Sequence, residues 1–143
     1  MKIKQKRCAA IVLHTPEGKI LLQHRSNDAP HGANKWGCFG GQIEQEETAE
    51  SAAKRESVEE LGYILGNPRQ FLQQEFVPRS SGVLIKVFYF AEEYDSSREL
   101  ILKEGQGMGW FTTNEAKQLD LTSTARLLVE YGMKGVRSLQ CAS

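Results

Sequence analysis

Residues 48–62, "TAESAAKRESVEELG", carry the strongest helix signal in the chain. No Gly or Pro interrupts the run before Gly62, and Thr48 is a residue type that caps helix N-termini. Gly62 stands where helices commonly end in a left-handed residue. The stretch therefore predicts a helix from Thr48 to Leu61.

Three glutamates crowd the end of this predicted helix. Glu56, Glu59 and Glu60 are neighbours on the helix surface, and each like-charged pair at such a spacing costs about 0.2–0.5 kcal/mol. At about 100° per residue, the glutamates continue a face made of small residues. That face consists of Ala49, Ala52 and Ala53.

Two interpretations of the glutamate face are open. Glutamates at this spacing are often a solvated acidic surface. Small residues suit close packing, however, so the shared face should point into the protein, with Val58 and Leu61 packed on the opposite side. By the same angular rule Lys54 and Arg55 point elsewhere.

The predicted helix therefore needs a counter-charge from outside. Two charges 4 Å apart repel by roughly 4 kcal/mol at an effective dielectric of 20. Oxygen-only ligands favour a hard divalent cation, Mg²⁺ in particular. The preceding "GCFGG", residues 37–41, is glycine-rich, which lets a backbone approach a ligand closely. Alone it indicates only a tight turn, but beside a carboxylate helix it indicates a ligand site.

The rest of the chain alternates strand and helix signals. Residues 7–25 predict a hairpin around "TPEG", and residues 26–37 predict a loop. Strands are predicted at 71–77, 83–93 and 108–112, and the apolar run 83–93 should be covered on both faces.

Two further helices are predicted near the C-terminus. Thr112 and Glu115 form a capping box for a short helix. Residues 122–132 predict a last helix, with Leu128 and Tyr131 facing inward and Gly132 closing it. Helices on both faces of a mixed sheet follow, which places the chain in the α/β class.

Composition bounds the function. The chain has 143 residues, 40% of them hydrophobic, which fits a single domain over residues 1–143. Lys plus Arg and Asp plus Glu number 18 each, so a nucleic-acid polymer is not an expected partner. Three scattered cysteines, Cys8, Cys38 and Cys141, predict free thiols in a reducing compartment. The apolar run "CAAIVL" is too short for a signal peptide or membrane span, so a cytoplasmic protein is expected.

The segment Gly41–Tyr63, "GQIEQEETAESAAKRESVEELGY", resembles the Nudix box. Seven positions stand in register: Gly41, Glu47, Arg55, Glu56, Glu59, Glu60 and Gly62. Two loosely hydrophobic positions depart from the pattern, since Ser57 is polar and Tyr63 is larger and more polar than an aliphatic residue. We expect local repacking around both.

Flanking segments resemble the MutT-type members of the family. "ANKWGCFGG" looks like the lead into the box, and "KEGQGMGW", residues 103–110, is similar to a segment that supplies another acidic ligand. Glu104 is that candidate, its alternative being an ordinary loop carboxylate. Phe39 stands where Pro often precedes the Gly-Gly pair, which leaves the substrate fit open.

The resemblance implies a Nudix fold, an α/β/α sandwich with a mixed central β-sheet, and a set of site residues. Ligands for Mg²⁺ or Mn²⁺ would be Glu56, Glu59, Glu60, Glu104 and the Gly40 carbonyl. Arg55 and Glu47 would orient the helix glutamates, and the general base would be Glu56, Glu59 or Glu104. Candidate substrate contacts are Arg25, Gly40, Gly41, Trp36 and Phe39. Arg25 has the alternative of being a surface arginine, and the aromatic rings that of core packing.

The implied activity is hydrolysis of a nucleoside diphosphate linked to another group. A nucleoside triphosphate, cleaved to the monophosphate and pyrophosphate, is the first expectation. ADP-ribose, a nucleotide sugar or a dinucleoside polyphosphate is the alternative. "DLTSTARLL", residues 120–128, lacks the Asn that enzymes acting on oxidised guanine nucleotides tend to use there. A nucleotide-binding module without hydrolysis is the alternative from another class. Many relatives are dimers, so a homodimer stays open.

Overall fold

The structure is a computed structural model that describes residues 4–141, with side chains described as far as Leu139. Seven strands and a set of helices follow one another in these residues. The strands are β1 (Gln5–His14), β2 (Ile20–His24), β3 (Trp36–Gly37), β4 (Phe39–Gln42), β5 (Arg69–Phe76), β6 (Leu84–Glu93) and β7 (Gly107–Phe111). The helices are α1 (Ala49–Leu61), α2 (Thr113–Lys117), α3 (Ser123–Leu127), a π-helical segment (Leu128–Gly132) and α4 (Met133–Cys141).

The sheet is mixed, as predicted. β1 runs parallel to β6, from the pair Gln5–Leu84 to the pair His14–Glu93. All the other strand pairs are antiparallel, and the main path runs β3-β2-β1-β6-β5. Off this path β4 pairs with β1 and β7 with β2. The predicted hairpin is therefore β1 and β2.

Two hydrophobic clusters pack on the two faces of this sheet. Alternate residues of β1 belong to different clusters: Val12 packs with Leu128 of the C-terminal helices, and Ile11 packs with Ala52 of α1. β6 contributes to both, since Tyr89 lies in the first cluster and Phe90 in the second. The prediction of a strand covered on both faces is confirmed.

The α1 helix begins and ends where the sequence predicts. The Thr48 hydroxyl accepts the Ser51 N–H, and the Ser51 hydroxyl accepts the Thr48 N–H, so the two residues form a capping box. Gly62 has φ 61° and ends the helix in the left-handed region. Ala52 and Ala53 are fully buried, so the alanine face points into the protein.

The two residues expected to pack on the side of α1 opposite the alanines differ from each other. Leu61 is fully buried and belongs to the second hydrophobic cluster, whereas Val58 is 42% exposed. The prediction is therefore confirmed for Leu61 and wrong for Val58.

The last predicted helix, residues 122–132, differs from the prediction in its end and in its inward-facing residues. Leu128 is buried as expected, but Tyr131 is 61% exposed and Gly132 does not end the helix, which continues as α4. A π-helical segment shifts the helical register and turns Tyr131 outward. Gly132 serves close packing instead, since a Cβ there would lie 2.9 Å from the Leu72 Cδ2 atom. The glycine-rich strand β4 was not predicted.

The sequence predicted neither a membrane span nor a disulfide bond. No helix within the described part of the chain is long and apolar enough to span a bilayer. Cys8 and Cys38 are free thiols, as predicted, and Cys141 lies outside the residues whose side chains are described.

The two residues that depart from the box pattern contact each other. Ser57 is completely buried, and its hydroxyl donates to the Tyr63 carbonyl at 2.7 Å. The Tyr63 hydroxyl accepts the Asp95 N–H at 3.0 Å, and the Arg98 guanidinium lies 3.9 Å from the Tyr63 ring centroid. The expected repacking therefore consists of polar contacts that fasten residues beyond β6 to the end of α1.

Ser57→Ala should lower the free energy of unfolding by about 1–3 kcal/mol, because it leaves the buried Tyr63 carbonyl without this donor. Urea unfolding measures the loss. Ser138→Ala is the matched control: its hydroxyl also donates to a backbone carbonyl, that of Lys134, but on an exposed helix surface. The control should change stability by less than about 0.5 kcal/mol. Equal losses in both variants would contradict the role of the buried bond.

Candidate active site

The site is built where the Gly40–Gly41 backbone of β4 meets α1. The Gly40 N–H donates to both carboxylate oxygens of Glu60, at 3.1 Å each. Gly40 has φ 139°, and a Cβ there would collide with the Ala9 carbonyl of β1. A Cβ at Gly41 would collide with the Glu56 carboxylate. Gly40 is therefore required for the close approach of β4 to β1, and Gly41 leaves space for the Glu56 carboxylate.

Arg55 joins the acidic residues around this turn. Its Nε and Nη2 atoms donate to the two oxygens of Glu47 at 2.7 and 3.0 Å. Its Nη1 donates to Glu56 at 2.9 Å and to Glu59 at 3.3 Å. The expectation that Arg55 points away from the glutamates is wrong, because the angular rule places only the Cβ and the long side chain reaches round the helix.

The charges of the cluster are unevenly balanced. Hydrogen bonds from Arg55 hold the pKa of Glu47 at about 2. Burial raises the pKa of Glu56, and Arg55 opposes that rise. Burial raises the pKa of Glu60 to about 8, and the Glu104 and Glu56 carboxylates add to that rise. Arg55 thus neutralises one end of the cluster and leaves Glu60 with excess negative charge around it.

Glu104 is brought to this cluster by residues 94–106, which connect β6 and β7. The Lys103 N–H donates to the Glu60 carbonyl at 2.9 Å. The side-chain amide of Gln23 donates to the Glu104 carbonyl at 3.0 Å. The structure therefore places Glu104 beside the end of α1, and its role as a metal ligand stays a prediction.

A divalent cation fits the donor chemistry of these residues. Glu56, Glu60 and Glu104 offer only oxygen atoms, the ligands that Mg²⁺ prefers. Burial is the main cause of the raised pKa of Glu60, and a cation would offset the smaller part that comes from the Glu104 and Glu56 carboxylates. Among residues 4–139 no three acidic, His or Cys side chains converge into a ready-made metal site. Glu59 is 56% exposed and turned toward Arg55. The ligand set therefore stays a prediction.

A cavity of about 660 Å³ opens on the other side of the Gly40–Gly41 backbone. Arg25 lines it and holds the adjoining loop, since its Nε donates to the His31 carbonyl at 2.9 Å. Cys38, Thr122 and Thr124 contribute polar groups to the wall. Hydrophobic walls come from Phe76, Val83, Ile85 and Val87. A nucleotide-sized cavity and the acidic cluster thus share one glycine turn.

The rings of the two predicted aromatic contacts pack against other side chains of the protein. Phe39 is 1% exposed and packs in the α1 cluster. Trp36 stacks on His24 at 4.5 Å between ring centroids and meets Phe111 edge-on at 5.0 Å. Both rings already have packing partners, so the expectation that they stack on a base is not supported.

Several site residues were missed from sequence. Gln23 is a buried polar residue that ends an otherwise apolar run of β2, which was the available signal. Thr122 caps α3 by accepting the Ala125 N–H, and its methyl group fills the space that a Cβ at Gly32 or Gly37 would enter. Cys38 lies deep enough that burial raises its pKa to about 12, so it lines the cavity as a neutral thiol. No spacing rule identifies the last two.

Comparisons with known proteins agree with this architecture. The family model described as "NUDIX domain" matches residues 4–131. A curated relative from Danio rerio, an oxidized purine nucleoside triphosphate hydrolase, is 31% identical over 87 residues, which cover 59% of this chain and 54% of the relative. The chain thus matches only about half the length of that relative.

Solved structures show the same fold. The MutT NUDIX hydrolase from Burkholderia pseudomallei aligns with a TM-score of 0.77 and 25% identity, covering 89% of this chain and 97% of its own. The NUDIX domain of Shewanella oneidensis NrtR, solved with ADP ribose, aligns with a TM-score of 0.74 and 18% identity, covering 97% and 90%. With the family model spanning most of the sequence, and the box glutamates and glycines gathered at one turn, the chain belongs to the NUDIX domain family.

Proposed function

We propose that this chain is a MutT-like pyrophosphohydrolase that uses Mg²⁺ or Mn²⁺ to cleave a nucleoside triphosphate to the monophosphate and pyrophosphate. The observation that carries the proposal is the position of Glu60. Its nearly buried carboxylate lies next to two others and takes its hydrogen bonds from the Gly40 N–H, whose glycine also lines the cavity. Carboxylates gathered beside a cavity attract a divalent cation, and a cation held there would bind the phosphate groups of a substrate.

The residues around the Gly40–Gly41 turn have different roles in the proposed reaction. Arg55 and Glu47 hold the end of α1 against the connection from β4, since Arg55 also donates to the Gln42 carbonyl at 3.1 Å. When bound, a divalent ion neutralises phosphate charge and lowers the pKa of a coordinated water. Glu56, Glu59 and Glu104 are the candidates that accept the proton of the attacking water.

Three features support a triphosphate of a single nucleoside. The cavity, about 660 Å³, falls in the range of small-ligand sites. The curated relative is named as a nucleoside triphosphate hydrolase, although the match covers about half of it. Arg25 lies at the cavity edge and is placed to contact phosphate. ADP-ribose, nucleotide sugars and dinucleoside polyphosphates remain the alternatives, together with a binding module that does not hydrolyse.

A substrate panel tests the activity. The purified chain is incubated with Mg²⁺ and nucleoside triphosphates, ADP-ribose, a nucleotide sugar or diadenosine polyphosphates, and products are separated by ion-exchange chromatography. We expect monophosphate and pyrophosphate from a triphosphate, and no turnover in excess chelator. Faster cleavage of ADP-ribose would identify the alternative substrate class. Tight nucleotide binding without turnover on any compound would identify the binding module.

Neutralising single glutamates tests the cluster. Glu56→Gln, Glu59→Gln and Glu60→Gln should each lower kcat by at least about 100-fold, the scale of a lost acid–base or charge-stabilising group. Steady-state kinetics at saturating Mg²⁺ measures the change. Glu50→Gln is the matched control: Glu50 lies on the same helix, but it is exposed and pairs with Lys54 at 3.4 Å. A near wild-type rate in Glu59→Gln would show that Glu59 has no part in catalysis.

Glu60→Gln should also change how stability depends on pH. The pKa of Glu60 is raised from 4.5 to about 8, so between these values the folded state holds a proton that the unfolded state has released. Wild-type stability is therefore lost as the pH rises through that range, and the variant escapes this loss. Thermal unfolding in metal-free buffer at about pH 5 and about pH 8.5 measures it. A Tm difference between variant and wild type that is the same at both pH values would contradict the raised pKa.

A further inference from the structure

The structure points to Gln23 as the positioning residue that holds the Glu104 carboxylate beside Glu56 and Glu60. This inference rests on the proposed function, because it matters for turnover only if Glu104 belongs to the active site. Gln23 lies on β2, outside the Nudix box and outside both segments that resemble the MutT-type members. It acts on the backbone of Glu104 and does not touch the reacting atoms.

Gln23 is placed where a polar side chain needs a specific partner. It is 3% exposed and follows Ile20, Leu21 and Leu22, which are all 2% exposed or less. A buried amide without a hydrogen bond costs free energy of folding, so its bond to the Glu104 carbonyl is a strong constraint on the conformation of the loop. This hydrogen bond therefore ties the end of β2 to the loop that carries Glu104.

Close packing supports the same contact. Gly105 has φ 92°, and a Cβ there would lie 2.9 Å from the Gln23 Cγ and 2.8 Å from the His24 carbonyl oxygen. The Gln106 N–H donates to that same carbonyl at 2.9 Å. Residues 104–106 are therefore docked directly on the end of β2.

The other side of the loop is attached to α1. The Ile101 N–H donates to the Leu61 carbonyl and the Lys103 N–H to the Glu60 carbonyl, each at 2.9 Å. These bonds satisfy carbonyls at the end of the helix that have no partner within it. Glu104 thus lies between a bond to α1 at Lys103 and a bond to β2 from Gln23. With both bonds made, the backbone of Glu104 has a fixed position relative to the helix that carries Glu56 and Glu60.

A double-mutant cycle tests the inference. Gln23→Leu, Glu104→Gln and the double variant are compared with wild type by steady-state kinetics on the best triphosphate of the panel. We expect Gln23→Leu to lower kcat about tenfold in the wild-type background, with KM changed less than twofold. In the Glu104→Gln background it should change kcat less than twofold, because the group that it positions is already gone. Gln73→Leu, the same change at an exposed position of β5, is the matched control and should keep the wild-type rate.

Amide hydrogen exchange supplies a readout that does not depend on activity. Gln23→Leu should speed exchange at the Lys103 N–H at least about tenfold, while the Ala52 N–H inside α1 keeps its protection. If Gln23→Leu does not fold, Gln23→Met provides an unbranched side chain of similar length for the same cycle.

The outcomes separate this inference from the proposed function. An equal loss of kcat in both backgrounds, or no loss in either, overturns the positioning role, as does a Glu104→Gln variant with wild-type turnover. A wild-type chain without turnover on any nucleotide overturns the proposed function instead. Exchange at Lys103 then decides whether Gln23 holds the loop: faster exchange supports it, and unchanged exchange overturns it.

Discussion

The fork of hydrogen bonds from Arg55 is the interaction on which the rest of the site depends. One guanidinium binds both oxygens of Glu47, reaches Glu56 and Glu59, and donates to the Gln42 carbonyl at the end of β4. A lysine could not replace it, because an ammonium group lacks the planar fork that bidentate pairing requires. The hydrogen bonds of Arg55 go to Glu47, Glu56, Glu59 and the Gln42 carbonyl. Glu60 and Glu104 receive no hydrogen bond from this guanidinium, so their charges are not balanced by it.

Hydrogen bonds also explain the two residues that depart from the box pattern. Ser57 and Tyr63 replace hydrophobic residues with hydroxyl groups, and both hydroxyls are used: one bonds the end of α1 internally, and the other accepts the Asp95 N–H. Arg98 covers the Tyr63 ring and donates to the Ile64 carbonyl at 2.8 Å. A change of residue type within the helix region is thus matched by residues beyond β6. That segment is the one that carries Glu104 to the site.

Sequence reasoning reached the local features and missed those set by tertiary packing. The bounds of α1 follow from Thr48 and Gly62, whose effects are local, and the mixed sheet follows from an apolar run with two covered faces. The predicted direction of Arg55 was wrong, because its long side chain reaches round the helix to Glu56 and Glu59. Its remaining partners, Glu47 and the Gln42 carbonyl, precede the helix, and only the fold brings them within reach. Gly132 is a residue type that often ends a helix, but here the helix continues as α4. The glycine allows close packing against Leu72 of β5 instead.

Phe39, which stands where Pro often precedes the Gly-Gly pair, is held by both its side chain and its backbone. Its ring packs under α1, and its backbone pairs with Ile11 of β1, where a Pro would lack the N–H group. Trp36 is likewise held by His24 and Phe111. Under the proposed function, with both rings packed against other side chains, the choice of base would depend on polar groups of the cavity wall such as the hydroxyls of Thr122 and Thr124. The Thr122 hydroxyl oxygen accepts the Ala125 N–H, which leaves its hydrogen free to donate, and Cys38 lines the cavity as a neutral thiol.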